Sequence, residues 1–166
     1  MQHNCLSLSL PCGRIYQKGG ARLEQALYNC MPKTIKKNTI KNFKPKNKNG
    51  NIIVEYDILY IDNDEIVSFE IKGINNKTSS CYKRQRRLIN QAIKQQKYLE
   101  NLYGTSYNKI KVVMCLVTGL INEPIDQEFL NELTNNNIIV SIGQKPNDSL
   151  KNAIFLLKKE GFLVKC

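Results

Sequence analysis

The chain has 166 residues, enough for one domain with a real core and short of what two full-sized domains need. A formal net charge of +11 and a pI near 9.4 point to a polyanionic partner, nucleic acid before an acidic membrane surface. No apolar run approaches the roughly 20 residues that span a bilayer, and the single histidine, His3, leaves no Ser-His or Cys-His pair for the folded body.

The opening MQHNCLSLSLPCG has a short apolar tract without a basic segment before it, so residues 1–18 read as a loose N-terminus rather than a signal peptide. Residues 19–166 read as a single domain. Six scattered cysteines (Cys5, Cys12, Cys30, Cys81, Cys115, Cys166) form no CxxC pair. They read as reduced thiols of an intracellular protein, cytoplasmic or nuclear, and not as a disulfide set or a metal–thiolate site.

Gly19-Gly20 is expected to open a helix, ARLEQALYNCM, that Pro32 stops. Leu23, Ala26, Leu27 and Cys30 give it an apolar stripe. Glu24 falls near the edge of that stripe, where spacing alone favours a solvated glutamate. Residues 33–50 hold seven lysines and no acid. Ile35, Ile40 and Phe43 mark a short strand there, and Pro45 to Gly50 a turn. Like charges this dense repel one another, and a phosphate backbone relieves the repulsion, which makes Lys36, Lys37, Lys41 and Lys44 candidate nucleic-acid contacts; the alternative is a solvated loop.

Residues 52–73, IIVEYDILYIDNDEIVSFEIKG, read as two strands joined by a two-residue loop at Asn63-Asp64, residue types that tolerate positive φ. That loop sets Asp62 opposite Glu65, Asp57 opposite Glu70 and Glu55 opposite Lys72. Directly opposed residues share a face. One face then carries Glu55, Asp57, Glu70 and Lys72. The other, the core face, carries Ile52, Val54, Tyr56, Ile58 and Tyr60 with Val67, Phe69 and Ile71.

After a loop, INNKTSSC, helical spacing resumes from Tyr82 to about Tyr103. Leu88, Ile89, Ala92, Leu99 and Leu102 supply the expected core stripe. Arg84, Arg87, Gln91, Lys94 and Tyr98 make a second stripe of cations and hydrogen-bonding groups, the expected nucleic-acid face. Lys109 to Thr118 reads as a central strand, Pro124 to Leu133 as a helix, and Asn137 to Ile142 as a strand. Asp148 is expected to cap a last helix that Gly161 stops. Residues 119–166 carry no chemical constellation. No glycine-rich phosphate loop is present, so no small-molecule cofactor is expected.

Two close carboxylates repel each other unless a cation sits between them. Asp57 and Glu70 therefore suggest a hard divalent ion, Mg²⁺ with Mn²⁺ as substitute, which needs only one or two carboxylates. Lys72, one pleat beyond Glu70, would orient a water or stabilise the transition state of phosphodiester hydrolysis. A plain cross-strand Glu55–Lys72 pair is the competing reading.

Asp57 followed by Glu70-Ile71-Lys72 resembles the D…(D/E)xK signature of the PD-(D/E)XK nuclease superfamily. Gly20-x-x-x-Glu24 is similar to the N-terminal helix of small archaeal-type Holliday junction resolvases, and the helix carrying Arg84, Gln91 and Lys94 stands where that superfamily places its substrate-contacting helix. The resemblance spans residues 19–118. It implies a mixed α/β, restriction-endonuclease-like core of order α-β-β-β-α-β with a central mixed sheet flanked by helices. It also implies metal ligation by Asp57, Glu70 and the Ile71 carbonyl, support from Glu24, and water activation by Lys72. By the same resemblance the partner would be DNA, cleaved structure-selectively in junction resolution, repair or recombination, by a homodimer. Tyr56 stands where the name-giving proline would be, and Lys94-x-x-x-Tyr98 is the nearest approach to a Q-x-x-x-Y motif. Two alternatives remain: a non-catalytic binding module on the same fold, and an RNA-directed nuclease, which the lack of aromatic clusters disfavours.

Overall fold

In a computed structural model of the chain, structure is described for residues 13–75, 81–119 and 124–166, with side chains from Gly20 onward. His3, Cys5, Cys12 and most of the loop after the hairpin lie outside the described residues. The elements in chain order are α1 (Gly13–Cys30), α2 (Lys33–Lys36), β1 (Thr39–Phe43), β2 (Tyr56–Ile61), β3 (Glu65–Gly73), α3 (Tyr82–Tyr103), β4 (Lys109–Val117), α4 (Gln127–Asn135), β5 (Ile139–Gly143) and α5 (Pro146–Lys159). The fold is mixed α/β. One five-stranded sheet has the order β1-β2-β3-β4-β5, antiparallel through β1–β2–β3 and parallel through β3–β4–β5. No helix among the described residues is long and apolar enough to cross a membrane.

The sheet is covered on both faces. Ile58, Tyr60, Val67, Phe69, Ile71, Val113 and Cys115 pack with Leu27 and Met31 of the α1 region and Leu150, Ala153 and Leu157 of α5. Leu59, Ile66, Val112, Met114 and Leu116 pack on the opposite face with Ile89, Ala92 and Leu99 of α3 and Phe129 and Leu133 of α4. The expected division into one core face and one open acidic face is therefore corrected: strands followed by parallel crossovers are buried on both sides, and the acids sit at the end of a covered face.

The hairpin register is as expected. Ile58 pairs with Phe69, Leu59 with Ser68, Tyr60 with Val67 and Ile61 with Ile66. The Asp62 N–H donates to the Glu65 carbonyl across a two-residue loop. Neither Asn63 nor Asp64 takes a positive φ, however. Side chains hold the turn instead: the Asp62 carboxylate accepts from the Asn63 N–H, and the Asp64 carboxylate accepts from Asn108 Nδ2.

Several expected boundaries move. The helix α1 begins at Gly13 and runs through Gly19-Gly20, so residues 13–18 are helical and not loose; a helical glycine costs about 1 kcal/mol and does not forbid the helix. Cys30 is exposed despite its place on the apolar stripe, while Leu27 and Met31 are buried. Leu102 is also exposed, in the last turn of α3. Helix α4 starts at Gln127 instead of Pro124 because Asp126 caps it, accepting from the Glu128 N–H. Asn137 takes a left-handed φ of 63° ahead of β5, which starts at Ile139. Pro146 opens α5, and Asp148 lies inside the first turn, favourable for the helix dipole, instead of capping it.

Three glutamines occupy core positions of α3: Gln85, Gln95 and Gln96 are buried. Gln96 replaces strand pairing where β5 has not yet begun. Its Nε2 donates to the Ile110 carbonyl at 3.2 Å and its Oε1 accepts from the Val112 N–H at 2.9 Å. Gln96→Leu keeps the volume and leaves both main-chain groups unpaired. Each orphaned group costs about 1–3 kcal/mol. The variant should unfold at a lower temperature by about 2–4 °C per kcal/mol, read by thermal denaturation; an unchanged midpoint would refute the assigned role.

Candidate active site

Strand β2 twists sharply at Asp57. In a regular strand residues two apart face the same way. Here Tyr56 packs under α3 with Val54, and Ile58 packs under α1. On the β1 side, Asn42 has a φ of 53° and drops out of the ladder between Lys41–Ile58 and Phe43–Tyr56. On the β3 side, the paired residues end at Ile58–Phe69. This divides the expected apolar face: Val54 and Tyr56 belong to the other layer, and Ile52 is exposed.

Side chains take over where the main-chain ladder stops. The Asp57 N–H donates to Glu70 Oε1 at 3.1 Å, and the Ile71 N–H donates to Asp57 Oδ2 at 3.0 Å. Lys72 Nζ lies 3.6 Å from Asp57 Oδ2 and 3.7 Å from Glu70 Oε2. Glu70 is fully buried, and Asp57 and Lys72 are 13 % and 25 % exposed, so the cluster opens to solvent on the side of Asp57 and Lys72. Glu24, half-buried on α1, lies beside Asp57. From the other layer, Gln91 Nε2 of α3 donates to Glu70 Oε2 at 3.3 Å.

Burial, and then the neighbouring Asp57 charge, push the Glu70 carboxyl up to about 8 from an ordinary 4.5, against the Lys72 ammonium and the hydrogen bond from the Asp57 N–H. Burial and then Asp57 also raise Glu24. Burial works to lower Lys72, but Asp57, Glu70 and Glu24 outweigh it and raise the ammonium above its usual range.

The structure thus brings Asp57, Glu70, Lys72 and Glu24 together and sets Gln91 against them. It separates Glu55, whose carboxylate pairs with Lys44 at 3.5 Å and not with the expected Lys72, because Glu55 lies before β2 begins. In the lysine run, Lys36 donates to the Asn29 carbonyl and Lys41 to Gln25 Oε1, while Lys37 is exposed. Along α3, Arg84 is half-buried and Arg87 exposed, and Lys94 lines a shallow groove of about 450 Å³ with Asn90, Ile93, Lys97, Tyr98 and Asn101.

Sequence reading missed Gln95. Its Nε2 donates to the Glu55 carbonyl at 2.7 Å, and the Tyr56 hydroxyl donates to its main-chain carbonyl at 3.0 Å, which ties α3 to the twisted start of β2. The signal was present: positions 92, 95, 96 and 99 are one helical core stripe, and two of them are glutamine.

The donor chemistry fits a hard divalent cation. Asp57 and Glu70 supply carboxylate oxygens, and the Ile71 carbonyl shares the open β2-side edge with its N–H, since both main-chain groups of a strand residue point the same way. Among the described residues no group of three or more His, Cys, Asp or Glu side chains is arranged to hold a metal, so the third protein donor would be that carbonyl. No family model matches the chain, and no curated protein matches it at a significant level.

Between pH 4.5 and 8 the folded state retains a proton on Glu70 that the unfolded chain releases, so ionisation of this residue removes stability as pH rises through that window. In metal-free buffer, the stability difference between Glu70→Gln and wild type should shift in favour of the variant from pH 5 to pH 8 and level off above. Denaturant titrations at each pH check this, and a difference independent of pH would contradict the raised carboxyl.

Proposed function

We propose that the protein is a metal-dependent deoxyribonuclease that hydrolyses phosphodiester bonds of DNA, on a core like that of PD-(D/E)XK nucleases. The observation that carries this reading is the pair of hydrogen bonds at the twisted end of the hairpin, from the Asp57 N–H to the Glu70 carboxyl and from the Ile71 N–H to the Asp57 carboxylate, with the Lys72 ammonium within 3.7 Å of both acids. Two carboxylates, a carbonyl edge and a lysine in a half-open site of a strongly basic chain suit attack of water on a phosphate better than they suit a plain surface pair.

Asp57, Glu70 and the Ile71 carbonyl would hold Mg²⁺ or Mn²⁺. When bound, the ion would acidify a water and neutralise charge on the phosphate. Lys72, within 3.7 Å of both carboxyl groups, would orient the attacking water or stabilise the pentacoordinate transition state as a hydrogen-bond donor and a positive charge. Glu24, beside Asp57, would support the site from α1. Gln91 orients Glu70 from α3 and brings Arg87, one turn away, to the same side as the substrate.

One observation favours a second reading, a DNA-binding module without catalysis: the Lys72 ammonium already lies beside both Asp57 and Glu70, where a metal ion would otherwise supply the positive charge. The two readings separate on Asp57→Asn and Lys72→Ala. For the nuclease, wild type cuts linear, flapped or four-way-junction DNA only with Mg²⁺ or Mn²⁺, and both variants lose at least about 100-fold in rate while still binding DNA. Mn²⁺ calorimetry should show a site that Asp57→Asn weakens. Absence of metal-dependent cleavage together with absence of that site leaves the binding module.

A further inference from the structure

We propose that Lys36 and Lys41, held over the ring of Tyr28, form a phosphate-gripping subsite that anchors a nucleic-acid strand one helical turn from the acidic centre. The inference rests on the nucleic-acid reading above and names residues that the charge run alone does not single out.

The ammonium groups lie 4.9 Å (Lys36) and 4.7 Å (Lys41) from the centroid of the same ring. Their other contacts are neutral: Lys36 donates to the Asn29 carbonyl at 3.3 Å, Lys41 to Gln25 Oε1 at 2.6 Å, and Gln25 Nε2 donates on to Asn29 Oδ1 at 2.7 Å. Neither lysine has a carboxylate partner among the ion pairs of the described residues. Two like charges are thus collected around one aromatic ring, with no carboxylate paired to either among the described residues. A free lysine side chain loses about 2 kcal/mol of rotamer freedom when it is fixed. Here cation–π contact and the amide acceptors have already restricted both chains, so an arriving anion has less ordering left to impose.

The geometry selects a phosphodiester strand. Tyr28 follows Glu24 by four residues on α1, so it lies on the same side of the helix about 6 Å further along the axis. The subsite therefore places cations on the side of α1 that carries Glu24, beside the path of a strand that reaches the acidic centre. Lys44 supplies further positive potential beside Glu24, although its ammonium is shared with Glu55.

Lys33 and Lys48 provide the internal control, since they carry the same charge in the same segment without lying over the ring. The full chain is titrated with a fluorescent duplex in EDTA at several salt concentrations. Lys36→Gln with Lys41→Gln should lower the slope of log K against log salt by about 0.9–1.8, one or two neutralised phosphates, and Lys33→Gln with Lys48→Gln by less than half of that. Tyr28→Leu should weaken binding with both charges kept, and Tyr28→Phe should restore it. Equal losses from the two lysine pairs, an unchanged slope for Lys36/Lys41, or a wild type that does not bind duplex at low salt would each overturn the subsite. The readout is binding without metal, so a wild type that binds in this pattern but never cleaves refutes only the nuclease reading.

Discussion

The site depends on one reciprocal interaction: each of two carboxylates accepts the main-chain N–H that the hairpin ladder leaves without a partner. Asp57 donates to Glu70, and Ile71 donates to Asp57. A buried N–H with no acceptor is costly, and so is a buried carboxylate with no donor. The twist at Asp57 creates the first kind of group and the two acids the second, so each satisfies the other. Neither acid can then turn away without orphaning a backbone group, which is a form of preorganisation that does not require a ligand.

Around that exchange, the two helical layers have different duties. Helix α1 brings Glu24 and the Tyr28 lysines from one side of the sheet. Helix α3 brings Gln91 and Gln95 from the other. The site is reached from both layers only because β2 changes faces at its first residues, with Tyr56 under α3 and Ile58 under α1. Polar residues in the core of α3 serve the same end. Gln95 fixes the start of β2, and Gln96 finishes the hydrogen bonding of β4.

Much of this was legible before any coordinates. The register of β2 on β3 follows from a short polar loop between apolar strands, and it holds over four residue pairs. The helix from Tyr82 to Tyr103 follows from its spacing. What remained hidden has physical causes. The twist at Asp57 is a backbone event whose sequence trace is an asparagine on the neighbouring strand, Asn42, so period-two reasoning put Tyr56 on the wrong face and Glu55 beside Lys72. The buried glutamines were read past because polar residues are expected outside, although Gln95 and Gln96 stand at core spacing. Gly19-Gly20 suggested a boundary because glycine weakens helices, but tertiary contacts override propensity at that scale.

The left-handed turn of Asn42 has a consequence at the rim of the sheet. Strand β1 is an edge, with unpaired main-chain groups that another chain's strand could extend. A residue in αL conformation interrupts the flat run that such pairing requires, and Lys41 and Lys44 flank it with charge. The kink that accompanies the twist at Asp57 thereby also makes this edge a poorer template for an added strand, so the shape of the sheet's rim and the shape of the acidic centre share one asparagine.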